Sequence, residues 1–165
     1  MMTPHTADTD LLRRAYGTFP SGVIAVCGLR DGGPVGIAAS SFVPVSMAPP
    51  LVSVCVQHTS TTWPRLAECP RLGLSVLGSS QRGVCRQIAA KTGDRFADVA
   101  FAATGEGAVL LHGAAAWLDC SIHDTVTAGD HDLILLRVEA LRIHEDVRPL
   151  VFHRSGFHAL AEPAA

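Results

Sequence analysis

Two short runs of hydroxyl side chains are the residues best suited to chemistry. Ser40-Ser41 closes a run of small and apolar residues, and Ser60-Thr61-Thr62, preceded by His58-Thr59, stands just before Trp63-Pro64. Hydroxyls are compact and both donate and accept hydrogen bonds. At strand ends beside a helix start, where backbone N–H groups are free and the peptide dipoles turn their positive ends outward, they suit a phosphate and the heteroatoms of a polar ring. Residues 59–68 are expected to form that helix, with Pro64 tolerated in its first turn. The plainer reading of a Ser-Ser pair at a strand end is a turn that bonds its own backbone.

Other chemistries lack their signatures. The chain has no G-x-G-x-x-G, no P-loop and no H-E-x-x-H. A Ser-His-Asp hydrolase could be assembled from Ser40 or Ser41 with His131 and Asp130, but no G-x-S-x-G surrounds either serine. The eight histidines and five cysteines do not pair at metal-ligand spacing, so no metal is expected. Arg95 taken alone is a solvated loop charge.

The elements that must position these residues read mostly as strands. Residues 35–39 and 51–57 are apolar, β-branched core strands on either side of a Pro-rich turn containing Pro44, Pro49 and Pro50. Residues 23–29 form a strand joined to 35–39 by the turn Asp31-Gly32-Gly33-Pro34. Before it, Asp10 is expected to cap a short helix with Leu11, Leu12, Ala15 and Phe19 on one face, and residues 1–9 read as a disordered lead-in. Residues 71–77 are a further strand. Ser79 or Ser80 is expected to cap a helix over residues 81–91 with Val84, Ile88 and Ala89 inward, and residues 97–106 read as irregular. Residues 109–111, 114–123, 132–144 and 151–158 are β again, with Ala128-Gly129-Asp130-His131 as a turn. Strands dominate and no αβαβ alternation is present. That predicts one mainly β domain over residues 10–165, a closed or nearly closed antiparallel barrel with short peripheral helices.

Composition narrows the setting. With 48% hydrophobic and 17% charged residues and a mean hydropathy of +0.29, the chain is apolar for a soluble monomer. Yet no apolar run is long enough for a spanning helix, which favours an oligomer over a membrane protein. A net charge of −2 without a basic run argues against nucleic acid. An odd number of cysteines without a C-x-x-C pair, behind a polar N-terminus that is no signal peptide, indicates buried free thiols in a reducing cytoplasm.

GIAASSFVPVSMAPPLVSVCV, STTWPRL, DRFADV, GDHDLILLRV and RSGFHAL together resemble, in order and spacing, the flavin reductase family with the FMN-binding split-barrel fold, in particular the branch serving aromatic polyketide antibiotic pathways. The resemblance spans about residues 11–160. It implies a homodimeric NAD(P)H:flavin oxidoreductase that passes hydride to FMN, with FAD possible, from NADH or NADPH, and supplies diffusible reduced flavin to a separate monooxygenase. It places Ala38, Ala39, Ser40, Ser41 and Phe42 along the isoalloxazine ring. Gln57, Ser60, Thr61 and Thr62 fall at the ribityl chain and phosphate, with Arg95 and Phe96 as a basic-aromatic pair from the partner subunit or the barrel rim. His131 falls on the nicotinamide side of the flavin, as an orienting group or proton donor. Phe152, His153, Arg154, Ser155, Gly156 and Phe157 cover the nicotinamide, with Phe152 and Phe157 where many relatives carry tyrosine, and with His153, Arg154 and Phe157 as the residues that touch it. The rival readings are a split-barrel protein that holds flavin or haem without turnover, and a member recruited to other chemistry on a polyketide-like substrate, a possibility that His58 and the missing tyrosines leave open.

Overall fold

The computed structural model describes residues 8–161. The expected lead-in lies outside them for residues 1–7, while Thr9 already belongs to helix α1 (Thr9–Tyr16). Asp8, not Asp10, caps that helix, accepting from the N–H groups of Asp10 and Leu11 at 3.0 and 3.1 Å. Phe19 lies beyond the helix and is exposed, so the expected apolar face ends early.

Twelve strands follow among the described residues, all paired antiparallel. β1 (Ser21–Gly22), β2 (Ile24–Arg30), β3 (Gly33–Ala39), β4 (Val43–Met47) and β5 (Pro50–Gln57) come first. Asp31 and Gly32 turn the chain between β2 and β3 with φ of 52° and 79°, the left-handed pair that a tight hairpin requires and that Asp-Gly supplies at low cost. The expected Pro-rich turn is itself partly a strand: β4 pairs with β5 through a register break between Pro44 and Ser46. Prolines fit there because β4 is an edge strand and need not donate on its open side.

Helix α2 (Trp63–Ala67) is shorter than expected, so Thr59 to Thr61 precede it. After β6 (Leu72–Val76) come a 3₁₀ turn and helix α3 (Arg82–Ile88). Neither Ser79 nor Ser80 caps this segment; the Gln81 side chain accepts from the Gly78 N–H at 2.8 Å instead. Cys85 and Ile88 are its buried residues, whereas Ala89 is exposed. The segment expected to be irregular contains β7 (Phe101–Ala103), which pairs with β8 (Val109–Leu111). β9 (Ala116–Ala128) and β10 (His131–Ile143) form a long hairpin. The last expected strand is a hairpin of β11 (Leu150–His153) and β12 (Gly156–Ala159).

The main sheet runs β3-β2-β6-β9-β10-β5-β4. Its strands coil so that Ile24, Val26, Val54, Leu74, Ile134 and Leu136 fill one interior. β2 is buried on both faces: its alternate residues Ala25 and Cys27 join Leu77, Ile88, Val109 and Leu111 in a second core under α3 and β8. That double burial explains its unbroken apolar sequence. β8 can lie close to β6 only because residue 73 is glycine, where a Cβ would stand 2.1 Å from the Val109 carbonyl oxygen.

The barrel stays split between β3 and β5, which share no ladder. The Ser41 hydroxyl bridges the gap, accepting from the Cys55 N–H at 2.9 Å and donating to the Cys55 carbonyl at 3.2 Å. One side chain thus stands in for a strand residue.

Candidate functional site

The split opens into a cavity of about 880 Å³, a size typical of small-molecule sites. β3 and the turn after it supply Ile37, Ala38, Ala39, Ser40 and Ser41. β5 supplies Cys55, Val56 and Gln57, the loop before α2 supplies Thr59 to Thr62, and the end of α3 with its following loop supplies Ile88, Ala89, Lys91 and Arg95. His131, first residue of β10, closes the set. The arrangement follows from period-two alternation: on β5, Val52, Val54 and Val56 are buried while Cys55 and Gln57 are exposed on the opposite face. His131 pairs with Gln57 across the β5–β10 ladder, which sets it beside that face.

Ten of the residues singled out from the sequence therefore share one cavity: Ala38, Ala39, Ser40, Ser41, Gln57, Ser60, Thr61, Thr62, Arg95 and His131. Phe42 does not line it and packs on the barrel core. Phe96 points to the second core and meets Phe101 edge-on at 6.2 Å. His153, Arg154 and Phe157 lie on the β11–β12 hairpin, outside the cavity lining. The Phe157 ring sits beneath the guanidinium groups of Arg82 and Arg86, at 6.0 and 5.6 Å, and against Phe152 at 5.4 Å. Arg95 reaches the cavity from its own chain, donating through Nη1 to the Thr62 hydroxyl at 2.8 Å and to the Gly36 carbonyl at 3.3 Å.

Sequence reasoning missed Ile37, Cys55, Val56, Ile88, Ala89 and Lys91 as wall residues. Cys55 was legible from the alternation on its strand, which sets it opposite the buried valines. Lys91 carried no such signal, because only the packing of α3 against β3 brings it in.

The hydroxyls divide by occupation. Ser41 is spent on the β3–β5 bridge, and Ser60 Oγ accepts from the Trp63 N–H at 3.2 Å. Thr62 accepts from Arg95, which leaves its own proton to donate. The side chains of Ser40, Thr59 and Thr61 have no partner among the described residues. With α2 only five residues long, its dipole adds little, and anion affinity at this end falls to the hydroxyls, Lys91 and Arg95.

At the other end stand two histidine–carboxylate pairs. His131 Nδ1 lies 2.7 Å from Asp130 Oδ1. The hydrogen bond from His131 and its nearby charge hold the Asp130 carboxyl below its usual range, so at neutral pH the carboxylate only accepts, Nδ1 carries the proton, and Nε2 is left for a ligand. His58 Nε2 lies 3.0 Å from Asp132 Oδ1, which also accepts from the Thr127 hydroxyl at 3.0 Å. The bonds from His58 and Thr127 lower the Asp132 carboxyl in turn. The His58 N–H donates to the Asp130 carbonyl at 3.0 Å, tying the end of β5 to the turn that carries His131.

The donor set fits a flavin mononucleotide: small apolar residues for a flat ring, unpartnered hydroxyls and an amide for a polyol, and two cations for a phosphate. No cluster of His, Cys, Asp or Glu among the described residues could hold a metal.

Comparison with known proteins also points to a flavin. The flavin reductase like domain matches residues 16–161. A flavin reductase of Pseudomonas putida is 34% identical over 155 residues, covering 93% of this chain and 91% of the relative. The actinorhodin polyketide dimerase of Streptomyces coelicolor is 38% identical over 159 residues, covering 96% of this chain and 90% of the relative. Other relatives are reductase components of flavin-dependent monooxygenases. The solved structure of the NADH:FAD oxidoreductase SgcE6 of Streptomyces globisporus C-1027, in complex with NAD and FAD fragments, superposes with a TM-score of 0.93 at 33% identity, covering all of both chains. Fold, cavity and kinship converge, and the chain belongs to the flavin reductase like family.

Proposed function

We propose that the cavity at the barrel split is where this NAD(P)H-dependent flavin reductase binds flavin and reduces it for a partner monooxygenase. The observation that carries this is one space joining a small, apolar wall at Ala38 and Ala39 to a hydroxyl-and-cation end at Thr61, Thr62, Lys91 and Arg95. Ala38, Ala39 and Ser40 would hold the ring, Gln57 the polyol, and Thr61, Thr62 and Arg95 the phosphoryl group.

Bound there, the flavin supplies the electrophilic ring that accepts a hydride from the reduced nicotinamide. The chain's part is positioning. Alanines on β3 admit a close ring face, Ser40 donates to its polar edge, and Arg95, fixed on Thr62 and Gly36, sets the depth of the phosphate. His131, oriented by Asp130, presents Nε2 to the nicotinamide carboxamide or to a proton leaving or reaching the ring. β1 leads into β2, whose first residue Ile24 is the ladder partner of Ala39, and β1 pairs with β11 through Ser21 and Phe152. That supports placing the β11–β12 hairpin, with His153, Arg154 and Phe157, over the ring end as a cover for the nicotinamide.

The working unit is a homodimer. Val43, Val45 and Met47 on β4, with Leu141 and Ile143 on the far half of β10, are large apolar side chains left exposed. A second copy that covers them accounts for the apolar composition. None of the five cysteines is paired, which supports a reducing cytoplasm. No helix among the described residues is long and apolar enough to cross a membrane.

The test is turnover. Dialysed protein should oxidise NADH only when free flavin is added, with a rate that saturates in flavin; flavin-independent oxidation would contradict a diffusible product. A second reading has one observation in its favour, the identity to a polyketide dimerase. Polyketide consumption by the protein with reduced flavin but no oxygenase would favour that reading.

A further inference from the structure

We propose that His58 and Asp132 are positioning residues for His131 and that the rate of flavin reduction depends on them through it. The inference rests on the place given to His131 above, on the nicotinamide side of the flavin, and names what holds it there. The end of a hairpin is a loose place for a reactive imidazole. His131 follows the turn Gly129-Asp130 and pairs with Ala128 across it, and Gly129 is at φ 67°. The side chain that orients the ring, Asp130, belongs to the same turn and is 80% exposed. Strand ends and turns open locally unless they are tied. Misplacing a reacting group by about 1 Å can cost on the order of a hundredfold in rate.

The tie comes from the residue just beyond β5. The His58 N–H donates to the Asp130 carbonyl at 3.0 Å, so residue 130 is held from outside its own hairpin. The His58 ring turns to Asp132, with Nε2 3.0 Å from Oδ1, and the same oxygen accepts from the Thr127 hydroxyl at 3.0 Å. One carboxylate oxygen thus joins β9, β10 and the end of β5 at the root of the turn. Asp132 is the better fixed of the two acids, its side chain only 26% exposed. Its bond keeps the His58 backbone in register with the Asp130 carbonyl. Neither His58 nor Asp132 lines the cavity. Period-two alternation puts Asp132 on the strand face of Ile134 and Leu136, which point into the barrel. Contact with a ligand is therefore left to His131, and the pair acts through the turn that carries it.

Anaerobic single-turnover mixing with saturating FMN and NADH tests this. His58→Ala and Asp132→Ala should each slow flavin bleaching about tenfold, within what such a misplacement costs, while FMN affinity by titration stays at the parent's value and verifies the fold. His58→Gln, whose side-chain amide can donate to Asp132, should restore most of the rate. In a His131→Ala background neither alanine should slow bleaching further, because all three residues act through one group. The same tenfold loss in that background would overturn the inference, since it would make the pair a strut of the barrel. So would an unchanged rate in both single variants, or a loss of FMN affinity in place of rate. Reduction at the parent's rate by His131→Ala alone would overturn the role given to His131 and this inference with it, while leaving flavin binding in the cavity untouched.

Discussion

At the residue scale the site works by dividing labour among similar side chains. Ser40 and Ser41 are neighbours of one type, yet Ser41 is consumed in holding β3 to β5 and Ser40 is open to a ligand. Thr62 and Arg95 act as a unit, since each fixes the other. Arg95→Ala should therefore weaken flavin binding by about 1.5–3 kcal/mol, the range for hydrogen bonds to a charged group, measured by titration; an unchanged affinity would remove the phosphate from this end. The Asp132 carboxyl makes a pH prediction. Its folded pKa lies below the ordinary 3.8 because of His58 and Thr127, so its contribution to stability is present above 3.8 and lost as pH falls through the folded value. Asp132→Asn should unfold at lower urea than the parent at neutral pH, and the gap should close in acid below 3.8. A gap that is constant with pH would show that the lost contact is not the ionised pair. The hydroxyl runs were legible as residue types, whereas Arg95 and His131 entered the site through the family resemblance. The division of the hydroxyls into structural and open groups was not legible, because only the fold brings Ser41 to Cys55, fourteen residues away.

At the element scale the sequence was read best where burial made a strand plainly apolar, on both faces in β2 and on the valine face in β5, and where Asp-Gly forced the turn after β2. It was read worst where a long-range contact sets the structure. β4 contains Pro44, with Pro49 and Pro50 just beyond its end, and still pairs, because edge strands tolerate missing donors. The caps were displaced for a similar reason: Gln81 reaches back to Gly78 and onward to the His112 carbonyl at 2.9 Å, a tie that no serine cap provides. The split itself is an element-scale device. Ser41→Ala removes both bonds to Cys55 and should cost about 1–2 kcal/mol of stability, read by urea unfolding, while weakening flavin binding by widening the cavity mouth. Full stability in that variant would mean that β3 and β5 are held by packing alone.

At the scale of the whole molecule, a seven-stranded coiled sheet, two cores and a terminal hairpin together create one crevice with a polar end and a small-residue wall. The apolar residues left outside are the face on which the proposed homodimer would form. Val45→Asp with Met47→Asp should convert a dimer to a monomer in sedimentation; a variant that stays dimeric places the interface elsewhere. That chain-wide apolarity was visible in composition, but which strands carry it was not, since alternation alone does not say which face meets a second copy. The central claim is that this crevice is where a flavin is reduced. Rapid anaerobic mixing of the protein with a flavin and NADH addresses it most directly. Prompt loss of the oxidised flavin absorbance, slowed in both Arg95→Ala and His131→Ala, is the result predicted here. Quenched flavin fluorescence with the absorbance intact would contradict it and leave a flavin-binding barrel without turnover.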